Sequence, residues 1–211
     1  MLLKAIMALW LNENPIMKKY LVSLLMLLFS TNLWAFSQAD LVNLLQKPEN
    51  SKGEFSQQRY LKALSKPITT SGNFTLVKNK GLLWVTEKPF ANQLKVTSKG
   101  ISQWNGSAWE SNSRLGQGEQ IKLFLGLLSG DTQALASQFG LTLSGNEKNW
   151  QLQLMPSSLL MKQIFSQIII QGDQLVQRIE LHEKQGDRTV ILFHNQQINQ
   201  PLSSFVQSAL H

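Results

Sequence analysis

Residues 81–90 read GLLWVTEKPF, and as a strand this stretch is apolar on both faces. Successive side chains of an extended strand alternate sides, so Leu82, Trp84 and Thr86 point one way while Leu83 and Val85 point the other. A strand with one face in water shows a polar side. This one needs cover on both. Gly81 opens it and Lys88-Pro89 closes it, because proline offers no ladder N–H and keeps the preceding residue extended. The stretch therefore belongs to a sheet with an apolar layer on each side, and the fold is decided by what forms those layers.

The flanking sequence extends the sheet in both directions. Upstream, GEFSQQRYLKAL (53–64) places Phe55, Gln57, Arg59 and Leu61 on one side. TTSGNFTLVKN (69–79) puts Phe74 and Leu76 together and then turns at Asn79-Lys80-Gly81. Downstream, ANQLKVTSKG (91–100) alternates Leu94 and Val96 against Gln93, Lys95 and Thr97. ISQWNGSAWE (101–110) predicts a hairpin at Asn105-Gly106. KNWQLQLMP (148–156) sets Trp150, Leu152 and Leu154 against Gln151 and Gln153. KQIFSQIIIQG (162–172), QLVQRIELHEK (174–184) and DRTVILFHNQ (187–196) predict three further strands.

Helical spacing appears in three places. SQADLVNLLQK (37–47) carries Leu41, Leu44 and Leu45, with Ser37 or Asp40 as cap and Pro48 as stop. GEQIKLFLGLLSGD (118–131) has Ile121, Phe124, Leu125 and Leu128 on one face, with Leu123 and Leu127 beside them, giving a wide apolar stripe. Pro201 precedes a last helical stretch, LSSFVQSAL (202–210). The pattern predicts one domain of about nine or ten antiparallel strands, with an N-terminal helix and a central helix inserted between two sheet halves.

Met17-Lys18-Lys19-Tyr20 followed by LVSLLMLLFSTNLWA (21–35) has the layout of a secretory signal peptide, with cleavage after Ala35 and Met17 as a candidate start. The apolar run is shorter than the roughly 20 residues of a spanning helix. Residues 1–35 are thus predicted to be removed, leaving 36–211 as an exported domain. The chain has no cysteine, so disulfides, thiol nucleophiles and a lipid-modified cysteine anchor are excluded. Its formal charge of +7 comes from lysines and arginines scattered along the chain rather than gathered in a stripe, and no nucleic-acid partner is expected.

Catalytic signatures are missing. There is no G-x-S-x-G elbow, no H-E-x-x-H and no phosphate-cradling loop. His182 and His194 have no evident third ligand, and Glu180 and Glu183 fall on opposite faces of a strand. The expectation is a protein that is not an enzyme, with no catalytic residue, metal site or cofactor. The apolar surplus leaves two accounts open: helices packed permanently on the sheet, or a concave face with room for a hydrophobic guest.

The order of these segments resembles the periplasmic lipoprotein carrier family LolA. The resemblance rests on the first helix, the Phe55-x-Gln57 strand, SGNFTLVKNKGLLWVTEKPF, VTSKGISQWNG, FGLTLSGNEKNWQLQLMPSS and the closing meander, across roughly residues 37–197. It implies an incomplete antiparallel β-barrel, a curved sheet covered by short helices, with a cavity for acyl chains of lipoproteins or lipids. The implied cavity residues are Phe55, Phe74, Leu76, Leu82, Trp84, Leu94, Val96, Trp150, Leu152 and Leu154. The implied lid comprises Leu41, Leu44, Leu45, Leu123, Phe124 and Leu127. Lys88 stands where the family has an arginine that holds the lid by donating to its carbonyls; a lysine keeps the charge and loses the planar fork of donors. The same likeness implies a monomer, an inner-membrane exporter as donor and an outer-membrane acceptor. Related roles on this scaffold are a carrier for a glycolipid or aryl-polyene lipid, and an envelope sensor or adaptor.

Overall fold

The computed structural model describes residues 36–111, 126, 128 and 135–210. Helix α1 (Gln38–Leu45) leads into strands β1 (Asn50–Tyr60), β2 (Ile68–Val77), β3 (Gly81–Lys88), β4 (Asn92–Thr97), β5 (Gly100–Trp104) and β6 (Trp109–Ser111). The second half holds β7 (Phe139–Asn146), β8 (Asn149–Pro156), α2 (Leu159–Ile164), β9 (Phe165–Gly172), β10 (Val176–Glu183), β11 (Arg188–Ile198) and α3 (Ser204–Ala209). The eleven strands form one antiparallel sheet in the order β6-β5-β4-β3-β2-β1-β11-β10-β9-β8-β7. Each half is a meander, and the halves join where the first strand pairs the last, with Phe55 opposite Phe193. The two edges, β6 and β7, therefore come from the middle of the chain, and no ladder joins them among the described residues.

The sheet curls. Ser98, just past the end of β4, and Val176 of β10 line one small cavity, although these strands are five positions apart and would be about 24 Å apart in a flat sheet. One apolar cluster lines the inner face from Val96 on β4 to Leu143 on β7. The inner face supplies Phe55, Phe74, Leu82, Trp150, Leu152, Leu154, Ile168, Ile170, Ile179 and Phe193 to this core. Leu41, Leu44 and Leu45 of α1 and Met161 and Ile164 of α2 pack onto it, as do Leu128 and Leu135. Each fully buried side chain of this size contributes about 1.5–3 kcal/mol through area removed from water.

The second apolar face of the opening segment has its own cover. Leu83 and Val85 pack outward with Val77 against Val206, Ala209 and Leu210, so α3 roofs the convex side of β2 and β3. Ser203 caps this helix by accepting from the Val206 N–H at 3.3 Å. Close approach of β2 and β3 explains Gly72: a Cβ there would lie 1.9 Å from the Val85 carbonyl oxygen, in a ladder already irregular between Ser71 and Gly72.

Helix α1 begins with a reciprocal cap. The Ser37 hydroxyl accepts from the Asp40 N–H, and the Asp40 carboxylate accepts from the Ser37 N–H at 2.9 Å and hydroxyl at 2.7 Å. Those bonds hold the Asp40 carboxyl below its ordinary pKa. At α2 the structure corrects the strand expected from Lys162: Leu159–Ile164 is helical and the strand starts at Phe165. Six residues give too little length to display a helical period, and the Ser158 cap is the local reason the turn forms. The hairpin expected at Asn105-Gly106 forms, with β5 and β6 antiparallel, but its loop is four residues, Asn105 to Ala108, folded around the Asn105 side chain, which accepts from the N–H groups of Ser107 and Ala108.

On the convex side, Glu180 ties β10 to β11. Arg178 donates to it at 2.6 Å and Arg188 at 3.1 Å, and the Arg188 guanidinium also lies 4.4 Å from the Tyr60 ring centre. Burial opposes the Glu180 charge, but the hydrogen bond and charge of Arg178, the charge of His182 and the hydrogen bond from Arg188 outweigh it and hold the carboxyl below its ordinary value. A depressed carboxyl stabilises the fold above its unfolded pKa and loses that contribution as pH falls through the folded one. Glu180→Gln is therefore expected to cost about 0.5–1 kcal/mol at neutral pH. The gap to the wild type should narrow as pH falls below the ordinary carboxyl range and close once the depressed native carboxyl is protonated. Urea midpoints of both proteins at about pH 7 and along an acid series test this, and a gap that does not narrow as the acid series descends would rule out the charge as its source.

Candidate functional site

Along one rim of the sheet, where β1 and β3 begin and β2 and β4 end, α1 leaves part of the inner face uncovered. A cavity of about 350 Å³ opens there. Its wall is apolar: Leu45 from α1, Phe74 and Leu76 from β2, Leu128, and Leu175 and Val176 from the approach to β10. Its mouth is polar, with Gln46, Asn50, Ser51, Asn79, Ser98 and Gln196. Lys78 and Lys80, in the β2–β3 turn, are the charged residues of the lining among the described residues. Gln196 is fixed by donating to the Val176 carbonyl at 2.9 Å, and Asn79 takes the left-handed conformation (φ 59°) that the tight turn requires.

Of the ten residues that the resemblance assigns to a cavity, Phe74 and Leu76 line this one. Phe55, Leu82, Val96, Trp150, Leu152 and Leu154 are buried within the inner cluster, and Trp84 packs against it half-exposed. Phe55 and Trp84 stack at 3.7 Å between ring centres, and Phe193 meets Trp84 and Phe74 edge-on at 6.2 and 5.1 Å. Leu94 is opposite Trp84 in register, half-buried, and belongs to neither apolar cluster. These rings fill the middle of the concave face, so the open volume is displaced to the rim.

Among the lid residues, Leu41 is fully buried and Leu44 and Leu45 pack on the inner cluster, which makes α1 a cover of the concave face. Leu123, Phe124 and Leu127 lie outside the described residues. Lys88 is exposed, opposite Ser71, and its side chain makes no hydrogen bond or ion pair with another described residue. It ends β3 at the far rim, about 23 Å along the strand from Gly81 at the cavity.

The structure also separates the two histidines. His182 is opposite Arg188 and His194 is opposite Glu54, six residues apart along β11, or about 20 Å. His194 shares a 3.1 Å hydrogen bond with the Ser56 hydroxyl. Among the described residues, no three metal-binding side chains come together. The lining residues that sequence reasoning misses, Lys78, Lys80, Leu175, Val176 and Gln196, sit in turns or at strand ends. Alternation does not say which way such residues face, and nothing local says that α1 ends above them.

A model of the LolA family, described as outer membrane lipoprotein carrier protein LolA, matches residues 46–206. Among solved structures, a LolA superfamily protein from Nitrosomonas europaea is similar at 8% identity and a TM-score of 0.46, over 81% of this chain and 96% of that one. The MucA/MucB complex of Pseudomonas aeruginosa contains a similar chain at 12% identity and a TM-score of 0.46; the match spans 79% of this chain and 57% of that longer one. A putative outer membrane lipoprotein-sorting protein domain from Vibrio parahaemolyticus is similar at 10% identity and a TM-score of 0.37, over 83% and 97%. No curated protein sequence matches the chain.

Proposed function

The chain belongs to the family of the outer membrane lipoprotein carrier protein LolA, and from that premise we propose that it is a periplasmic carrier that shelters acyl chains of lipoproteins or lipids during transfer toward the outer membrane. The observation that carries this reading is the apolar cavity beneath the end of α1. Its volume, about 350 Å³, lies within the roughly 300–1,000 Å³ of small-ligand pockets. Each buried methylene is worth about 0.8 kcal/mol, so several chain carbons give useful affinity. Release then requires that a cover return much of that energy, and α1 is the described element placed to do so. In this reading the N-terminal 35 residues direct export and are removed, the domain acts as a monomer, and it binds rather than catalyses. It takes its cargo from an inner-membrane donor and gives it to an outer-membrane acceptor.

Lys88 enters the same proposal as a latch, although it stands at the far rim and its side chain has no hydrogen-bond or ion-pair partner among the described residues. The test is transfer of a fluorescent fatty-acid probe from the delipidated domain to acceptor liposomes, alongside native mass spectrometry of the protein taken from its own periplasm. A bound lipid mass is expected, with faster release from Lys88→Ala and slower release from Lys88→Arg. Equal rates in all three would remove the latch and leave the carrier. A folded, lipid-free protein that binds no apolar probe would sink the carrier reading itself.

A further inference from the structure

We propose that this cavity selects a single-chain amphiphile with an anionic head group, the chain lying against Phe74, Leu76 and Val176 and the head held by Lys78 and Lys80; the inference rests on the carrier reading above. Among the described residues the charge of the lining is one-sided: two lysines and no carboxylate. Both lysines sit on a turn that the backbone fixes, since the Lys78 N–H donates to the Glu49 carbonyl at 3.0 Å and the Lys80 N–H to the Val77 carbonyl at 3.1 Å. Their alkyl stems can lie along the apolar wall while the ammonium groups stay at the mouth.

The nearby carboxylates do not cancel this charge. Glu49 pairs with Lys78 at 3.2 Å, but its side chain is 76% exposed and it does not line the cavity. Asp173 is committed to its own turn, accepting from the Leu175 N–H and the Gln177 amide, both at 3.1 Å. Lys80 makes no ion pair with any described residue. Across the mouth is the C-terminal end of α1, the negative end of the helix dipole; no basic residue stands in its last turn, and Lys47, one residue past the cap, does not line the cavity. An anionic head is therefore repelled from the α1 side and drawn to the Lys78–Lys80 turn. Size sets the number of chains: about 350 Å³ is near the lower limit for a ligand pocket, which suits one chain and not several.

The experiment compares four chain-matched probes on the delipidated protein: a fatty acid, a lysophosphatidylglycerol, a lysophosphatidylcholine and a monoacylglycerol. The two anionic probes are expected to bind about fivefold or more tightly than the neutral ones, the equivalent of about 1 kcal/mol for one exposed ion pair. That preference should shrink as salt is raised. Lys78→Ala combined with Lys80→Ala is expected to abolish it, bringing the anionic probes down to the affinity of the neutral ones while the protein still melts cooperatively, and Lys80→Glu is expected to reverse it. Equal affinity for all four probes in the wild type would overturn anion selection and leave the carrier reading standing, whereas no binding of any probe to the folded protein would overturn both. Inorganic phosphate alone should not raise the melting temperature. A rise matching that given by lysophosphatidylglycerol would make the turn a free-anion site and overturn the proposal.

Discussion

Trp150→Ala is expected to destabilise the protein by about 3–5 kcal/mol, the range for removing a buried tryptophan from a core that only partly closes on the cavity left behind. The ring is 1% exposed, in the inner cluster, on a strand that pairs with β7 on one side and β9 on the other. It lies across the sheet over Gly172, its register partner, where a Cβ would come within 2.5 Å of the ring. Its Nε1–H donates to the Asp173 carbonyl at 2.5 Å and so pins the β9–β10 turn next to the cavity wall. Trp150→Phe keeps most of the apolar area and strands that carbonyl, so a smaller loss of about 1–3 kcal/mol is expected. Urea denaturation reads both as a shift in midpoint at unchanged slope. A loss below about 1 kcal/mol for the alanine variant would mean that the ring is not a structural centre of this half of the sheet.

Trp150 was also the easiest residue to place from sequence, and the reason is physical. KNWQLQLMP alternates without interruption, and a strand covered on one side writes its burial directly into a period of two. The first helix was legible for a similar reason: Ser37 and Asp40, read as alternative caps, turn out to be the two halves of one capping box. GLLWVTEKPF announced that both its faces needed cover, but not by what. Leu83 and Val85 meet Val206 and Ala209, more than a hundred residues later, and no local pattern encodes that pairing. α2 was hidden because six residues show no period, and β7 entered only through the family resemblance of FGLTLSGNEKNWQLQLMPSS because its burial alternates only over its first half. The cavity was the least legible feature. Its apolar wall consists of residues that read as core, and its location depends on where α1 stops relative to a turn on another element.

That difference between wall and core sets up the sharpest functional contrast, Leu76→Glu against Leu152→Glu. From sequence the two leucines are equivalent, each on an inward strand face. In the structure Leu152 is 3% exposed, locked in the inner cluster between β7 and β9, whereas Leu76 is partly buried and borders open volume at the rim. A carboxylate at position 152 has no partner and no route to water, so it must neutralise or break the packing around it; a cost of several kcal/mol and loss of the folded state are expected. At position 76 the new carboxylate can reach the mouth, where Lys78 and Lys80 are close in the chain, so the fold should survive with a loss of about 1 kcal/mol. Binding should respond in the opposite sense. Leu76→Glu puts a hydrated charge on the wall and competes for the lysines, and is expected to weaken a fluorescent fatty-acid probe more than tenfold while circular dichroism and cooperative melting persist. A Leu76→Glu protein that binds the probe as the wild type does would mean that this cavity is not where the chain goes. A Leu152→Glu protein that stays folded and loses binding would shift the site to the middle of the concave face, now filled by Phe55, Trp84 and Phe193.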